Sequence, residues 1–247
     1  MIPPTSIDGT DITGATIDGT DVQEITVDGD VVFSASLDPN TVLTDRWPLD
    51  EGSGSLANNI LGTVDMDING NFSWDSGSEY TGGAGVEFNN NTGFIETQST
   101  IGVPVNDFSV MFWTRPISQE NTFPDFTRTS NGEFRVFDAF DRNSWHVNIG
   151  GDNQVESQGS FTEGEWYFIA YTGSGNTWDF YVYETNGQTL DRSGSISYDN
   201  FAQSLILGNE AVSNSIVGYY DDLMVNQNTQ LSESTITEIW DATRQGR

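Results

Sequence analysis

With a single histidine, no cysteine and no lysine, carboxylates are the abundant reactive groups of this 247-residue chain: 37 Asp and Glu stand against eight Arg. His146 lies between Trp145 and Val147 in a strand-like pattern, with no Ser or Cys nucleophile motif near it, so base-assisted nucleophilic attack has no constellation to use. Cleavage of a glycosidic bond needs two carboxylates flanking that bond. Glu165 stands next to Trp166 and Asp179 next to Trp178, but among 37 carboxylates such chance neighbours are common. The reading is therefore of a non-enzymatic protein. Without cysteine there is neither a disulfide framework nor a thiolate metal site. Asp8-Gly9, Asp18-Gly19 and Asp28-Gly29 hint at calcium, yet their spacing lacks the oxygen-ligand density of a calcium-binding loop.

The elements that would position any site are strands. Around Phe108-Ser109-Val110-Met111-Phe112-Trp113, residues 108, 110 and 112 fall on one face of an extended segment and 109, 111 and 113 on the other. Apolar bulk on both faces predicts a central strand covered on both sides. Glu165–Tyr171 and Trp178–Tyr183 have the same character, and the Gly-rich loop Thr172–Asn176 between them suits a hairpin. Further strands are expected at Val86–Phe88, Gly93–Thr97, Glu133–Phe137, Ser144–Ile149, Leu205–Gly208 and Gly218–Val225. Near the C-terminus, Ser232 can cap a short helix that presents Ile236, Ile239 and Trp240 on one face. The 26 glycines, the abundance of Asp, Asn, Ser and Thr, and the single helical pattern make the chain all-β.

The formal net charge of -29 sets the environment. A fold so unbalanced repels itself when the Debye length is long, and high salt relieves the repulsion. The acidity is spread along the chain rather than gathered in a tail, which points to a surface adapted to molar salt. No basic patch is present to meet phosphates, so no nucleic acid is expected as a partner. No apolar run approaches a membrane span, and Met1-Ile2-Pro3-Pro4 lacks the basic and apolar regions of a secretory signal.

Residues 1–36 form a repeat in which a β-branched residue precedes Asp-Gly at intervals of ten: Ile7-Asp8-Gly9, Ile17-Asp18-Gly19 and Val27-Asp28-Gly29. Asp-Gly readily takes the positive backbone angles of tight turns, so short strands such as Asp21–Val27 and Asp30–Phe33 should flank them. A segment this small cannot bury a core of its own, and it reads as an attachment or assembly arm that gains most by packing against copies of itself, which predicts a homo-oligomer. Residues 37–42, with Pro39, read as a linker, and 43–247 as the main domain.

Six segments occur in a telling order: Trp47-Pro48-Leu49-Asp50-Glu51-Gly52-Ser53-Gly54, Gly82-Gly83-Ala84-Gly85-Val86-Glu87-Phe88, Phe108–Trp113, Gly164–Ala170, Tyr220-Asp221-Asp222-Leu223-Met224-Val225 and Leu231-Ser232. Over residues 43–243 this order resembles the laminin-G-like branch of the concanavalin A-like lectin/glucanase superfamily. The fold expected is a concanavalin A-like jelly-roll sandwich of two antiparallel sheets, with a small N-terminal β-hairpin arm and a short C-terminal helix. Where that family usually has Asp-Gly in a late hairpin, this chain has Asn186-Gly187, which still favours a turn. Glycosidases of the wider superfamily place alternating acids on one strand, a pattern missing here. The resemblance implies a structural Ca2+, for which Asp50, Glu51, Asp221 and Asp222 are the candidate ligands. It also implies glycan binding through edge loops, with 118–131 and 143–158 as candidate loops and Trp145, Asn153 and Trp74 as candidate contacts. The N-terminal repeat resembles the leading segment of virion proteins of tailed viruses that infect halophilic archaea. That resemblance implies a virion surface protein, assembled in the host cytoplasm and then extracellular. The arm would bind other virion proteins and the sandwich a host-surface glycan or glycoprotein, without membrane insertion.

Overall fold

The computed structural model describes residues 6–7, 10–11, 16–17, 20–21, 24–27, 30–34, 37–75, 85–101, 107–118, 125–130, 134–138, 143–149, 153–175, 177–195, 203–208 and 216–244. The chain divides into two compact units, Met1–Asp38 and Pro39–Arg247. The first unit holds three antiparallel ladders, one per repeat. Strand β1 (Ser6–Ile7) pairs with β2 (Thr10–Asp11), β3 (Thr16–Ile17) with β4 (Thr20–Asp21), and β5 (Glu24–Val27) with β6 (Asp30–Ser34). The registers Ile7↔Thr10, Ile17↔Thr20 and Val27↔Asp30 set each Asp-Gly pair between two paired strands.

The second unit is a jelly-roll-like sandwich. Its strands in chain order are β7 (Asp45–Trp47), β8 (Leu56–Ala57), β9 (Met66–Asn69), β10 (Phe72–Asp75), β11 (Gly85–Phe88), β12 (Phe94–Thr97), β13 (Phe108–Ser118) and β14 (Asp125–Thr129). There follow β15 (Phe134–Phe137), β16 (Ser144–Ile149), β17 (Asn153–Ser160), β18 (Tyr167–Ser174), β19 (Thr177–Glu184), β20 (Gly187–Ser195), β21 (Leu205–Gly208), β22 (Val217–Asn226) and the helix α1 (Glu233–Arg244). One 8-stranded sheet has the order β10-β11-β22-β13-β18-β19-β20, with β7 also on β22. The other 8-stranded sheet runs β17-β16-β15-β14-β21-β12-β9-β8. Every pairing between these strands is antiparallel.

The two sheets meet over a core rich in aromatic rings. Phe108, Val110 and Phe112 of β13 point inward with Ile169, Tyr171, Phe180, Val182 and Tyr220. From the facing sheet, Phe134 stacks on Tyr171 at 4.3 Å and meets Phe108 edge-on at 5.9 Å. Trp145 packs against Phe126 at 4.6 Å and Tyr167 at 5.3 Å. Each such pair contributes about 0.5–1.5 kcal/mol beyond the area it buries.

β13 is covered on its other face too, as its two apolar faces require. Trp113 packs on Phe168 at 5.1 Å and its Nε1 donates to Thr243 Oγ1 of α1 at 3.1 Å, while Tyr183 stacks on Trp240 at 5.4 Å. Ser109 Oγ donates to the Thr229 carbonyl at 2.9 Å and accepts from the Leu231 amide at 2.8 Å. The cap expected at Ser232 is present, its Oγ accepting from the Thr235 amide at 3.3 Å, and Ile236, Ile239 and Trp240 are buried.

β22 is bordered by β13 along one edge and by two strands along the other: β11 reaches Gly218–Tyr220 and β7 reaches Leu223–Val225. The change of partner falls at a bulge, because β22 fits one extra residue between Asp221, opposite Trp113, and Met224, opposite Met111. Asp222 takes φ 47 there and its amide donates to the Pro48 carbonyl at 3.2 Å. Residues 39–42 belong to this packing as well: Pro39–Thr41 form a 3-10 turn, and Asn226 Nδ2 donates to the Val42 carbonyl at 2.6 Å.

Candidate functional site

A cleft of ≈ 320 Å³ opens where the approach to β18 passes the β19–β20 turn, lined by Thr162, Glu165, Trp166, Tyr167, Glu184, Thr185 and Asn186. Both walls are local consequences of the sequence. Gly164 takes φ 86, turning the chain sharply between β17 and β18, and its amide donates to the Pro116 carbonyl at 2.6 Å. Tyr167 anchors that wall from the core: its phenol oxygen accepts from the Thr162 amide at 2.7 Å. Burial raises the Tyr167 pKa, only partly offset by the Thr162 hydrogen bond, so the phenol stays neutral and keeps its proton for a further contact. The opposite wall is the turn that Asn186-Gly187 predicts, with Gly187 at φ 129. Arg244 tethers it from the helix, with Nη1 donating to the Thr185 carbonyl at 3.1 Å and the guanidinium lying 4.1 Å over the Trp240 ring.

Trp166 sits half-buried at the lip. Its ring centroid lies 6.4 Å from that of Tyr219, and the Arg115 guanidinium stands 5.2 Å over the same Tyr219 ring. Arg115 Nε donates to the Gly164 carbonyl at 3.0 Å, which fixes the arginine beside the turn that carries Glu165 and Trp166. An apolar ring face bordered by carboxylates, an amide and a hydroxyl is an arrangement suited to a sugar. Its C–H face can lie on the indole while its hydroxyls donate to Glu165 and Glu184 and exchange hydrogen bonds with Thr185 and Asn186.

The acids expected to hold Ca2+ are placed differently from one another. Asp50 is exposed. Glu51 uses Oε1 to accept from the amide and the Nδ2 of Asn58, at 2.6 and 3.1 Å, closing the first loop. Asp221 and Asp222 are fully buried at the β22 bulge, where both Asp222 oxygens face Arg46, at 2.7 Å from Nε and 2.8 Å from Nη2. Calcium takes six to eight oxygens. Here it would have to displace Arg46 from Asp222, and among the described residues no group of three or more His, Asp or Glu side chains is gathered for a metal ion.

The expected sugar contacts also divide. Trp145 is 1% exposed and belongs to the core, a correction with a simple cause: the stretch 143–158 contains paired strands, and alternation sends Trp145 and Val147 inward. Within 118–131, Asp125–Thr129 is likewise a strand, and Asp125 is buried against Arg135 at 2.6 Å and Arg128 at 3.7 Å. Trp74 is half-buried with Nε1 donating to the Gly54 carbonyl at 2.9 Å, and the side chain of Asn153 lies outside the described residues. His146 is 4% exposed, its Nδ1 3.2 Å from the Ser144 carbonyl and its ring 5.4 Å from Phe137. The cleft at Trp166 had a sequence signal in Gly164-Glu165-Trp166, acid and indole together after a turn residue.

Comparison with known proteins places the fold. The Laminin_G_3 model, of the concanavalin A-like lectin/glucanases superfamily, matches residues 81–237. A comparison with curated proteins returned no match. Among solved structures, domain 4 of AbnA, a GH43 extracellular arabinanase from Geobacillus stearothermophilus solved with arabinotriose, superposes with a TM-score of 0.61 at 18% identity, covering 80% of this chain and 97% of that one. The Trypanosoma rangeli sialidase gives a TM-score of 0.65 at 12% identity over 91% of this chain, which spans 36% of that enzyme. At such identities the likeness is one of fold. On the family match and the two-sheet sandwich together, the chain belongs to the concanavalin A-like lectin/glucanase superfamily, within its laminin-G type.

Proposed function

We propose that this chain is a non-enzymatic glycan-binding protein of a virion surface, the sandwich engaging a host-surface glycan and residues 1–36 serving as the arm that docks to other virion proteins. The observation that carries the binding half is the cleft: a half-buried Trp166 at the lip of a ≈ 320 Å³ recess lined by Glu165, Glu184, Thr185 and Asn186. Binding is preferred over hydrolysis because Glu165 is open to water and Glu184 only half-buried, so the cleft carries no enclosed pair of carboxylates to flank a sugar bond. The particle half is supported by the Asp-Gly repeat and by the net charge of -29, which suits molar salt.

Glycan-array binding in molar KCl tests the first half. Trp166→Ala should reduce retention on any bound glycan at least about tenfold, the effect of one lost aromatic platform, with the melting temperature little changed. Equal retention would remove the cleft from consideration. Purified chain incubated with a glycan it retains should release no reducing ends, and release that is lost in Glu165→Gln or Glu184→Gln would make the protein a hydrolase instead. Electron cryo-microscopy of the source particle in high salt tests the second half. Density fitting this sandwich should project from tail or capsid, and intact particles lacking it would leave a free glycan-binding module.

A further inference from the structure

An asparagine followed by glycine is open to attack by the main chain on its own side chain, because the glycine nitrogen has no neighbouring Cβ to block the approach. The described residues include two such pairs, Asn69-Gly70 and Asn186-Gly187, and the fold treats them oppositely. Asn69 ends β9, paired with Phe94, and its Nδ2 donates to the Asp67 carbonyl at 3.3 Å. Gly70 after it, at φ 78, is wedged against the Thr92 carbonyl with no room even for a methyl group. Asn186 is exposed at the tip of the β19–β20 turn, beyond the last register pair Glu184↔Gly187. Its side chain makes no hydrogen bond among the described residues. Gly187 is surrounded by open space, since a Cβ added there would meet nothing within 4 Å. This free amide lines the same cleft as Glu165, Trp166 and Glu184.

We propose that Asn186 is a site of spontaneous deamidation and that the change loosens the cleft's hold on its ligand, so that binding declines as the protein ages. The second half rests on the glycan reading of the cleft; the first does not. The Gly187 main-chain nitrogen, giving up its proton, bonds to Asn186 Cγ, and the Cγ–Nδ2 bond breaks as the side-chain nitrogen leaves with that proton as ammonia. The product is a five-membered cyclic imide. Water opens it at either carbonyl: addition at Cγ gives aspartate, and addition at the main-chain carbonyl carbon gives isoaspartate, whose main chain runs through Cβ and Cγ. Water is the only reactant consumed. Asn186 offers both a donor and an acceptor, whereas a carboxylate only accepts, so a sugar oxygen that took the amide proton loses its partner. A third carboxylate then stands with Glu165 and Glu184 around the recess. Isoaspartate also adds a methylene to the main chain between Glu184 and Gly187, a two-residue turn that sets the local register and that Arg244 Nη1 tethers at the Thr185 carbonyl. Molar salt screens the added charge but restores neither the lost hydrogen bond nor the turn length.

The test ages the full chain in molar KCl made up in heavy-oxygen water and follows each asparagine by peptide mass mapping, with electron-transfer fragmentation to separate isoaspartate from aspartate. Asn186 should exchange its amide for a heavy-oxygen carboxylate several-fold faster than Asn69, with isoaspartate the larger product. Asn186 still intact when Asn69 has reacted, or when a free peptide of residues 181–192 has reacted to completion, overturns the proposal. On a glycan that the fresh protein retains, aged wild type and unaged Asn186→Asp should both be held about three- to tenfold less tightly, the size of one lost hydrogen bond. Asn186→Gln, whose ring closure would need six members, should keep its starting retention, whatever that is, throughout the ageing. Full conversion at Asn186 with undiminished retention overturns the link to binding and leaves the glycan reading in place. Fresh protein that retains no glycan overturns the reading of the cleft, and the mass map then decides the modification by itself.

Discussion

At the residue scale, the informative side chains are polar groups whose surroundings oppose their charge. Asp179 of β19 is the clearest: burial, then the neighbouring charges of Asp191 and Glu233, raise its carboxyl above the ordinary range. A carboxyl whose folded pKa is raised contributes stability below its unfolded pKa and loses it as pH rises through the folded value, so ionised Asp179 opposes folding at neutral pH. Asp179→Asn keeps an acceptor for Gln230 Nε2, which now donates to Oδ2 at 2.7 Å. It should raise the melting temperature by a few degrees at neutral pH in low salt, less in high salt, and not at all below the carboxylate range. A melting series across pH in two salts checks this, and a lower neutral melting temperature would show that Asp179 is needed as an anion. Reading individual residues from sequence succeeded where alternation alone decides the outcome, as for Phe108, Val110 and Phe112. For Trp145 it left a sugar contact open beside the favoured core position, and the structure takes the core position. It passed over Trp166 as a contact because periodicity assigns a face to a residue without showing which turns come to lie beside it.

At the scale of elements, the cleft depends on how closely β13 and β22 approach. Gly218 lies opposite Pro116, and a Cβ there would collide with the Arg115 carbonyl oxygen and stand 3.0 Å from Pro116 Cα. Gly218→Ala should therefore push the two strands apart and cost about 1–3 kcal/mol, as overpacking does. Because Arg115 and Pro116 on the displaced segment hydrogen-bond Gly164 of the turn that carries Trp166, the substitution should also weaken retention of any glycan the cleft holds. Denaturant unfolding read beside calorimetric titration separates the two effects, and an unchanged unfolding midpoint would show that the ladder has slack. Strands with alternating or doubly apolar faces were legible: β13, β18, β19, β21 and β22 fall where the sequence puts them, as do the helix and its Ser232 cap. The strands β14, β17 and β20 were not, since Asp125-Phe126-Thr127-Arg128-Thr129 and Asn153–Ser160 lack the apolar alternation that marks a half-buried strand. Buried ion pairing holds the first of them, with Asp125 0% exposed between two arginines, and such tertiary partners leave no local trace.

For the whole molecule, charge governs behaviour. With a net charge of -29, and four of the five arginines with described side chains already committed to carboxylates, the remaining acids repel one another through solvent. The melting temperature should climb steadily from low to molar KCl. Calorimetric scans at fixed pH would show it, and a flat or falling trend would mean that the acidic surface is not tuned to salt. The class of the fold was readable from composition and the order of six weak motifs, because a jelly roll repeats one simple pattern many times. The cleft was not, because it is made by two turns about twenty residues apart meeting beside a third strand.

The double border of β22 has a kinetic meaning. Thr44, just before β7, hydrogen-bonds Val225 at a sequence separation of 181 residues, and β11 also waits for β22. While the ribosome is making the intervening strands, neither has its partner, and the sheet that carries the cleft cannot close on the nascent chain. Folding is therefore deferred until after β22 emerges, and with so many distant pairings it should be slow, leaving exposed edges available to neighbouring chains in the meantime. The abundant negative charge then acts before the native state exists, keeping unfinished copies apart while they wait for one strand.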